Sequence, residues 1–343
     1  MRKIIMLLLM LLGIVTNSLA QSPSAAPIYP AGAALPSPAT GTLVAIVDSA
    51  KGLVVAADSR TTLPWLPGTF CDDAYKILIP KRPQRTVIMV TGNGNWIDLK
   101  PNLSTDICSA VRSSPQVLDI GSLVKSYIEK TNSKISKLSL TELGERCVTA
   151  MEKLQISRPL VFQSLTGREV FSVVMADYDP KTRVALIRNF VVRIDADSKE
   201  IQATRFSTDT ISAGDKWVVL PFGESDYFFQ TVYHGVGHQF INAAIFDSMI
   251  AGKHVSEVPL DLAVAAAVNT IEAASRTTAL VPATSGIGGP IDVVLLGDQS
   301  RPQKLRWKGQ PQATNTMHQS PPGDTLTVHT PQSRAGQNQS AKP

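Results

Sequence analysis

The sequence predicts an α+β fold in which two β-sheets pack face to face, with helices on their outer sides. Two blocks of apolar, β-branched segments, within residues 42–92 and 169–223, are each followed by a block of helical segments. A final apolar segment spans residues 290–296. This order is typical of layered α+β domains, because each sheet face and each apolar helix stripe must be buried against a neighbouring layer.

The first strand block predicts two hairpins. The segments TLVAIVD (42–48) and GLVVAAD (52–58) are apolar and β-branched, and they are joined by a short polar turn that ends in Gly52. This pattern is a strong hairpin signal. AYKILIP (74–80) and RTVIMVTG (85–92), around the turn KRPQ, predict the next two strands.

The remaining elements are predicted from periodicity. Apolar residues at spacings of three and four predict helices, and the last helix of the first group should open at Leu140 or Thr141. The predicted helices are 104–114, 120–130, 139–154, 225–233, 238–252 and 259–275. The second group of strands is 169–179, 182–195 and 217–223, and the chain's last strand is 290–296.

The N-terminus has the pattern of an export signal. Basic residues in MRK precede the apolar run IIMLLLMLLGIV, and the small-residue sequence SLA follows it, which predicts a signal peptide over residues 1–20. An uncleaved N-terminal anchor is the alternative. The expected location is exported, either periplasmic or secreted.

Two polar or uncharged segments flank the predicted domain, which spans residues 42–298. Residues 21–41 are rich in Pro, Ala and Ser, carry no charge, and are predicted to be a linker or a propeptide. Residues 299–343 are predicted to be a disordered polar tail. Because the tail and signal hold most of the excess basic residues, residues 42–300 carry a net charge of −2 although the whole chain carries +5. This charge distribution gives no support for nucleic-acid binding.

The three cysteines, Cys71, Cys108 and Cys147, have no CxxC spacing. In an oxidising compartment one pair can form a disulfide and one cysteine is left over. The sequence does not choose the pair.

A series of motifs in the first half resembles a known family. GTLVAIVDSAKGLVVAADSRTT is followed by YKILIP and VIMVTGNGNW, and much later by PFGESDY and SGIGGPIDVVLL. In their order and spacing these resemble proteasome β-subunits, nearest the bacterial proteasome-like branch. The resemblance implies an N-terminal nucleophile (Ntn) hydrolase with a four-layer αββα sandwich, self-processed at the Gly41–Thr42 bond.

The chemistry of such an enzyme explains the residue types at these positions. A threonine hydroxyl needs a base, and the α-amine of Thr42, once freed, has a pKa near 8 (roughly 7.7–8.0). Lys76 beside it would favour the deprotonated forms, and Asp58 would pair with the buried Lys76. Gly92 would present its N–H to the developing oxyanion.

The second half departs from the family pattern at one point. Relatives carry an Asp-x-x-Ser-Gly-Gly arrangement before the last strand, whereas this chain has ATSGIGGP, with Ser285 present and Thr284 near the position of the acid. Glu224 and Ser225 in GES are weaker candidates for a supporting role. The loop between Asp58 and Lys76 is longer than usual in the family.

These observations predict a threonine-type hydrolase of peptide or amide bonds. No cofactor and no metal are expected, because His234 and His238 are separated by glycines and lack an adjacent Glu. The expected partner is a peptide or small amide substrate, with room for a homo-oligomer, and no ATPase is expected in the exported location. The alternatives are a non-catalytic envelope binding or scaffold protein of the same fold, and an Ntn acylase of small amides.

Overall fold

The computed structural model describes residues 35–38, 42–62, 70–72, 74–82, 85–99, 106–132, 134–163, 165–280 and 286–306. The described residues all belong to one compact unit. The predicted signal peptide and the tail beyond residue 306 lie outside the described residues.

Fifteen strands are present in the described residues. They are β1 (Leu35–Pro38), β2 (Leu43–Ser49), β3 (Gly52–Ala57), β4 (Thr61–Thr62), β5 (Phe70–Cys71), β6 (Ile77–Leu78), β7 (Thr86–Gly92), β8 (Asn95–Leu99), β9 (Gln116–Asp119), β10 (Glu169–Asp179), β11 (Val184–Ile194), β12 (Ile201–Ser212), β13 (Val219–Gly223), β14 (Asp292–Gly297) and β15 (Gln303–Arg306).

The helices follow the predicted order. They are α1 (Ile107–Ser113), α2 (Ile120–Thr131), α3 (Leu140–Ser157), α4 (Pro159–Gln163), α5 (Ser225–Tyr227), α6 (Ala243–Ile250) and α7 (Leu260–Leu280). A π-helix spans Phe228–Tyr233, and 3₁₀ turns span Ile135–Lys137, Val236–Phe240 and Val255–Glu257. Within the described residues, no helix is both long and apolar enough to cross a membrane.

Two five-stranded antiparallel sheets dominate the molecule. One has the strand order β13-β2-β3-β14-β15, and the other has the order β12-β11-β10-β7-β6. A three-stranded sheet β1-β8-β9 and a two-stranded ribbon β4-β5 complete the described strands. The predicted α+β class is therefore confirmed.

The cores explain how the two large sheets are buried. On β2, Ala45 and Val47 pack in one cluster with helix α7, whereas Val44 and Ile46 pack in another cluster with residues of the second large sheet, such as Met89. The opposite face of the second sheet contributes to a third cluster with α2 and α3. Successive side chains point to opposite faces of a strand, so β2 is buried along its whole length.

Several elements differ from the sequence-based expectations. Strand β12 was not predicted, because only two of its twelve residues are buried and its sequence shows no apolar alternation. The third predicted strand, 74–80, is reduced to the two residues of β6. Helix α3 begins at Leu140 as expected, because the Ser139 side chain accepts a hydrogen bond from the Glu142 N–H.

Part of the segment predicted to be a linker or propeptide is ordered as a strand. Residues 35–38 pair antiparallel with β8. A segment of this composition does not become ordered by itself, and here backbone pairing with β8 orders residues 35–38.

Candidate active site

Thr42 lies immediately before β2, at one end of the sheet that contains this strand. The residue is 5% exposed. Its carbonyl oxygen accepts a hydrogen bond of 3.1 Å from the Glu224 N–H, just beyond β13. The preceding residue, Gly41, lies outside the described residues. This contact places the backbone of Glu224, in the GES motif, next to Thr42.

Asp58 follows β3 and is the centre of the hydrogen-bond network around Thr42. Its buried carboxylate accepts the backbone N–H groups of Leu43 at 3.0 Å, Arg60 at 3.2 Å and Gly288 at 3.2 Å. It also accepts Lys76 Nζ at 3.0 Å on each oxygen. A buried carboxylate needs such donors to replace the water it loses.

Lys76 and Asp58 form a buried ion pair. The side chain of Lys76 is 8% exposed and that of Asp58 is fully buried. Burial lowers the pKa of Lys76 and raises the pKa of Asp58, and the attraction between the two charges opposes both shifts. Removing one partner of such a pair leaves an uncompensated charge, which is strongly destabilising.

The shared carboxylate places the lysine close to Thr42. Leu43 N and Lys76 Nζ both bind Asp58 Oδ1 at 3.0 Å, so these two nitrogens lie within about 6 Å of each other. Leu43 is bonded directly to Thr42. Three of the residues singled out in the sequence therefore come together here.

Gly92, the predicted oxyanion donor, ends β7 with φ of +76°. A Cβ atom here would lie 2.6 Å from the Val170 carbonyl oxygen, so the position requires glycine. Its neighbour Thr91 contacts Gly223, where a Cβ would lie 2.9 Å from Thr91 Cβ and 2.1 Å from the Thr42 carbonyl oxygen. The end of β7 and the start of β2 therefore meet across Gly223.

A second charged cluster, formed by Arg60 and Asp72, packs beside the site. The sequence did not predict it. Arg60 binds both carboxylate oxygens of Asp72, at 2.7 and 2.9 Å, and its guanidinium lies 3.6 Å over the ring centre of Phe70. Gly288 packs against this guanidinium, where a Cβ would lie 2.6 Å from Arg60 Cζ. Because the Gly288 N–H also donates to Asp58, the packing of Arg60 against Gly288 helps to hold the Asp58 carboxylate in position.

The sequence held a partial signal for this cluster. Arg60 belongs to the DSR motif and Gly288 to the GIGGP stretch, both of which carried the family resemblance. Asp72 had no distinguishing pattern. Asp72 directly follows β5, whose Cys71 forms a disulfide with Cys108 in α1. Cys147 is the free cysteine and is buried.

Other predicted positions are not joined to this network in the described residues. Ser285 and Thr284 lie outside the described residues, as does most of the loop between Arg60 and Asp72. His238 Nδ1 contacts the Tyr233 carbonyl oxygen at 2.8 Å. Over the described part of the chain, no group of three or more His, Cys, Asp or Glu side chains is arranged to hold a metal ion.

Thr42, Lys76 and Asp58 therefore lie together at the ends of strands from the two large sheets, and the turn at Gly92 lies beside them. Comparison with models of protein families and with curated proteins found no match to this chain.

Proposed function

We propose that this chain is an exported threonine-type N-terminal nucleophile hydrolase that cleaves peptide or amide bonds. In this proposal the three core clusters are the interfaces of a four-layer αββα sandwich. The observation that carries the proposal is the buried Asp58 carboxylate, which binds Lys76 Nζ and the N–H of Leu43, the residue after Thr42. The sequence resemblance supports it independently.

The proposed reaction begins with self-processing. The Thr42 hydroxyl oxygen attacks the carbonyl carbon of Gly41, and the C–N bond to Thr42 breaks as the acyl group moves to the oxygen. Water then hydrolyses the ester, which releases the upstream segment as a carboxylic acid and leaves Thr42 with a free α-amine. This amine is the base that the hydroxyl lacks before cleavage.

The processed enzyme would then act on a second amide. The α-amine takes the proton of the Thr42 hydroxyl as the oxygen attacks the substrate carbonyl, and it returns the proton to the leaving amine. Water hydrolyses the acyl-enzyme. Lys76 keeps the amine neutral by like-charge repulsion, and Gly92 would stabilise the oxyanion with its N–H.

Intact mass of the purified protein tests the first step. The proposal expects a chain beginning at Thr42 for the wild type, and an unprocessed chain for Thr42→Ala. Thr42→Ser keeps a hydroxyl and should still be processed. A wild-type mass that corresponds to a chain beginning at residue 21, and that is unchanged in Thr42→Ala, would refute the proposal. A wild-type chain that begins at Thr40 would show that Thr42 is the wrong threonine for the nucleophile.

Labelling with a β-lactone probe tests the second step and the role of Lys76. The wild type should form one covalent adduct on Thr42, and Lys76→Met should reduce the labelling rate by about a hundredfold or more, as is usual for loss of proton-transfer assistance. Lys81→Met is the matched control, because Lys81 is exposed on a turn. Processed, folded protein that is not labelled would favour the non-catalytic alternative.

A further inference from the structure

Thr91 and Ser172 form a hydrogen-bonded pair of hydroxyl groups between β7 and β10, directly before Gly92. Their hydroxyl oxygens lie 2.6 Å apart, and Thr91 is 2% exposed. The two residues are direct partners in the antiparallel pairing of these strands. We propose that Thr91 is a positioning residue whose side chain, held by Ser172, sets the spacing between Thr42 and the Gly92 N–H. This inference rests on the proposed function and concerns the same site.

The hydroxyl pair lies on the face of its sheet that packs against the other large sheet. Two positions along the same strands, the partners Met89 and Val174 belong to the apolar cluster that the sheets share. Because alternate residues of a strand point to one face, Thr91 and Ser172 continue this face to the end of β7. A hydrogen bond requires a defined distance and angle, whereas an apolar pair requires only close packing. The hydroxyl and the methyl group of threonine are both on Cβ, so a hydroxyl held by Ser172 also fixes the methyl group.

The side chain of Thr91 contacts the strand end that holds Thr42. A Cβ atom at Gly223, in the other large sheet, would lie 2.9 Å from Thr91 Cβ and 3.0 Å from Thr91 Cγ2. Gly223 is the pairing partner of Leu43, the residue after Thr42. The next residue of the chain, Glu224, donates its N–H to the Thr42 carbonyl oxygen at 3.1 Å. Thr91 therefore packs directly against the backbone that holds Thr42.

The backbone of Thr91 leads directly into the proposed oxyanion donor, Gly92. A Cβ at Gly92 would lie 2.6 Å from the Val170 carbonyl oxygen, so this turn lies tightly against β10. The Asn93 N–H donates to the same carbonyl oxygen at 2.7 Å. Since Ser172 is also on β10, its hydroxyl and this backbone bond hold the chain on both sides of Gly92. One side chain thus connects the two halves of the proposed site, which come from different sheets.

The rate of β-lactone labelling tests the role of Thr91 in the reaction. Thr91→Val removes the hydroxyl and nearly keeps the shape. It should lower the limiting labelling rate, kinact, by about tenfold, the size expected for loss of one hydrogen bond, and should leave KI unchanged because Thr91 faces the core. Thr91→Ser keeps the hydroxyl and Cβ, and its kinact should stay within about threefold of wild type. Folded Thr91→Val that remains unprocessed would show the same loss, because processing uses the same groups.

Thr86→Val is the matched control. Thr86 is fully buried at the opposite end of β7, and its hydroxyl donates to Asp177 Oδ1 of β10 at 3.3 Å. This variant removes the same group from the same pair of strands, so it should leave kinact unchanged even if urea unfolding shows a comparable loss of stability. Equal kinact values for Thr91→Val and Thr86→Val would overturn the inference and leave the proposed function intact.

Amide hydrogen exchange tests the positioning role independently of catalysis. In whole chains carrying Thr42→Ala, Thr91→Val should accelerate exchange of the Glu224 and Asn93 amides by about tenfold relative to Thr86→Val. Unchanged exchange in α3 verifies that the variants fold. Equal exchange of both amides in the two variants would overturn the inference. Wild-type protein that is neither processed nor labelled would refute the proposed function, and the exchange comparison would still decide whether Thr91 holds the two strand ends.

Discussion

Two buried carboxylates, Asp58 and Asp48, differ in the hydrogen-bond donors that surround them. Asp58 accepts three backbone N–H groups and the Lys76 ammonium. Asp48, at the other end of β2, accepts the Ser49 N–H through Oδ1, and its buried Oδ2 meets no hydrogen-bond donor among the described residues. A buried polar atom without a partner costs about 1–3 kcal/mol. Both oxygens of Asp58 therefore have hydrogen-bond donors, whereas one buried oxygen of Asp48 has none among the described residues.

Asp48 should make the protein less stable as the pH rises. Burial raises the pKa of Asp48 from 3.8 to about 6, against the opposing effects of the Ser49 N–H and Arg183 and with a small further rise from Asp215. A carboxyl whose pKa is higher in the folded state ionises first in the unfolded chain, so stability falls between about pH 4 and pH 6 and stays low above that. Asp48→Asn should therefore stabilise the protein at pH 7.5 by up to about 3 kcal/mol, at about 1.4 kcal/mol per pKa unit.

Urea unfolding at pH 7.5 and pH 4 measures this effect. The difference between Asp48→Asn and wild type should nearly vanish at pH 4, where the folded carboxyl is protonated. Asp197→Asn removes an exposed carboxylate and should stay within about 0.5 kcal/mol of wild type at both pH values. A pH-independent difference for Asp48→Asn would contradict the assignment.

At the scale of the elements, tight turns and one disulfide determine how the strand ends meet. Gly223 ends β13 with φ of +83° and lets this strand approach the Thr42 carbonyl oxygen. The Cys71–Cys108 disulfide links β5 to α1. Neither feature stabilises a core cluster directly. Each positions a segment that carries part of the site.

A comparison of Gly223→Ala with Gly252→Ala distinguishes the effect of a steric contact on stability from the effect of backbone strain. Gly252 has a similar φ of +70°, but a Cβ there would have no other atom within 4 Å, whereas a Cβ at Gly223 would lie 2.1 Å from the Thr42 carbonyl oxygen. Gly252→Ala should cost about 1 kcal/mol from the left-handed conformation alone. Gly223→Ala should cost more and should also stop processing at Thr42. Equal unfolding free energies with normal processing would show that the contact is unimportant.

The Cys71–Cys108 disulfide leads to two predictions: the number of free thiols, and the loss of stability when the disulfide is removed. Under denaturing conditions without reductant, thiol titration should find one free cysteine, Cys147, and reduction should raise the count to three. Cys71→Ser/Cys108→Ser opens a crosslink between residues 37 apart, for which the chain-entropy estimate is about 3–4 kcal/mol. Three free thiols before reduction would contradict this pairing. Unfolding free energy, measured in urea without reductant, gives the stability change.

At the scale of the whole molecule, the two large sheets share one apolar cluster. Ile46 lies in this cluster with no exposed surface, together with Met89 from the other sheet. The site lies where strands of both sheets end, since Thr42 precedes β2 and Gly92 ends β7. Packing between the sheets therefore also sets the distance between these residues.

Ile46→Ala tests the contribution of this shared core. The substitution should destabilise the protein by about 2–5 kcal/mol, the range for isoleucine or leucine truncation in a packed core. Ile156→Ala makes the same chemical change on α3 at a side chain that is 83% exposed, and it should change stability by less than about 0.5 kcal/mol. Similar unfolding free energies for the two variants would contradict a packed interface between the sheets.

Local patterns allowed much of the fold to be predicted from the sequence. The β2–β3 hairpin, strands β7, β10, β11 and β14, and the start of α3 were predicted, because alternation, apolar runs and helical periodicity are local signals. Strands β1, β4, β5, β8, β9, β12 and β15 were missed, and β15 lies within residues 299–343, which were predicted to be a disordered tail. Their pairing depends on neighbouring strands rather than on their own composition, and only the folded chain supplies those neighbours.

The sequence by itself determined which residue types stand at the candidate site: a threonine before the first strand of the hairpin, and Asp58, Lys76 and Gly92 on the strands that follow. The tertiary structure alone decided that Asp58 would bind both Lys76 and the backbone next to Thr42, and that Arg60, Asp72 and Gly288 would brace it. It also chose Cys71 and Cys108 as the disulfide pair. The physical reason is that these contacts join residues far apart in the chain, and their geometry is fixed only when both sheets are packed.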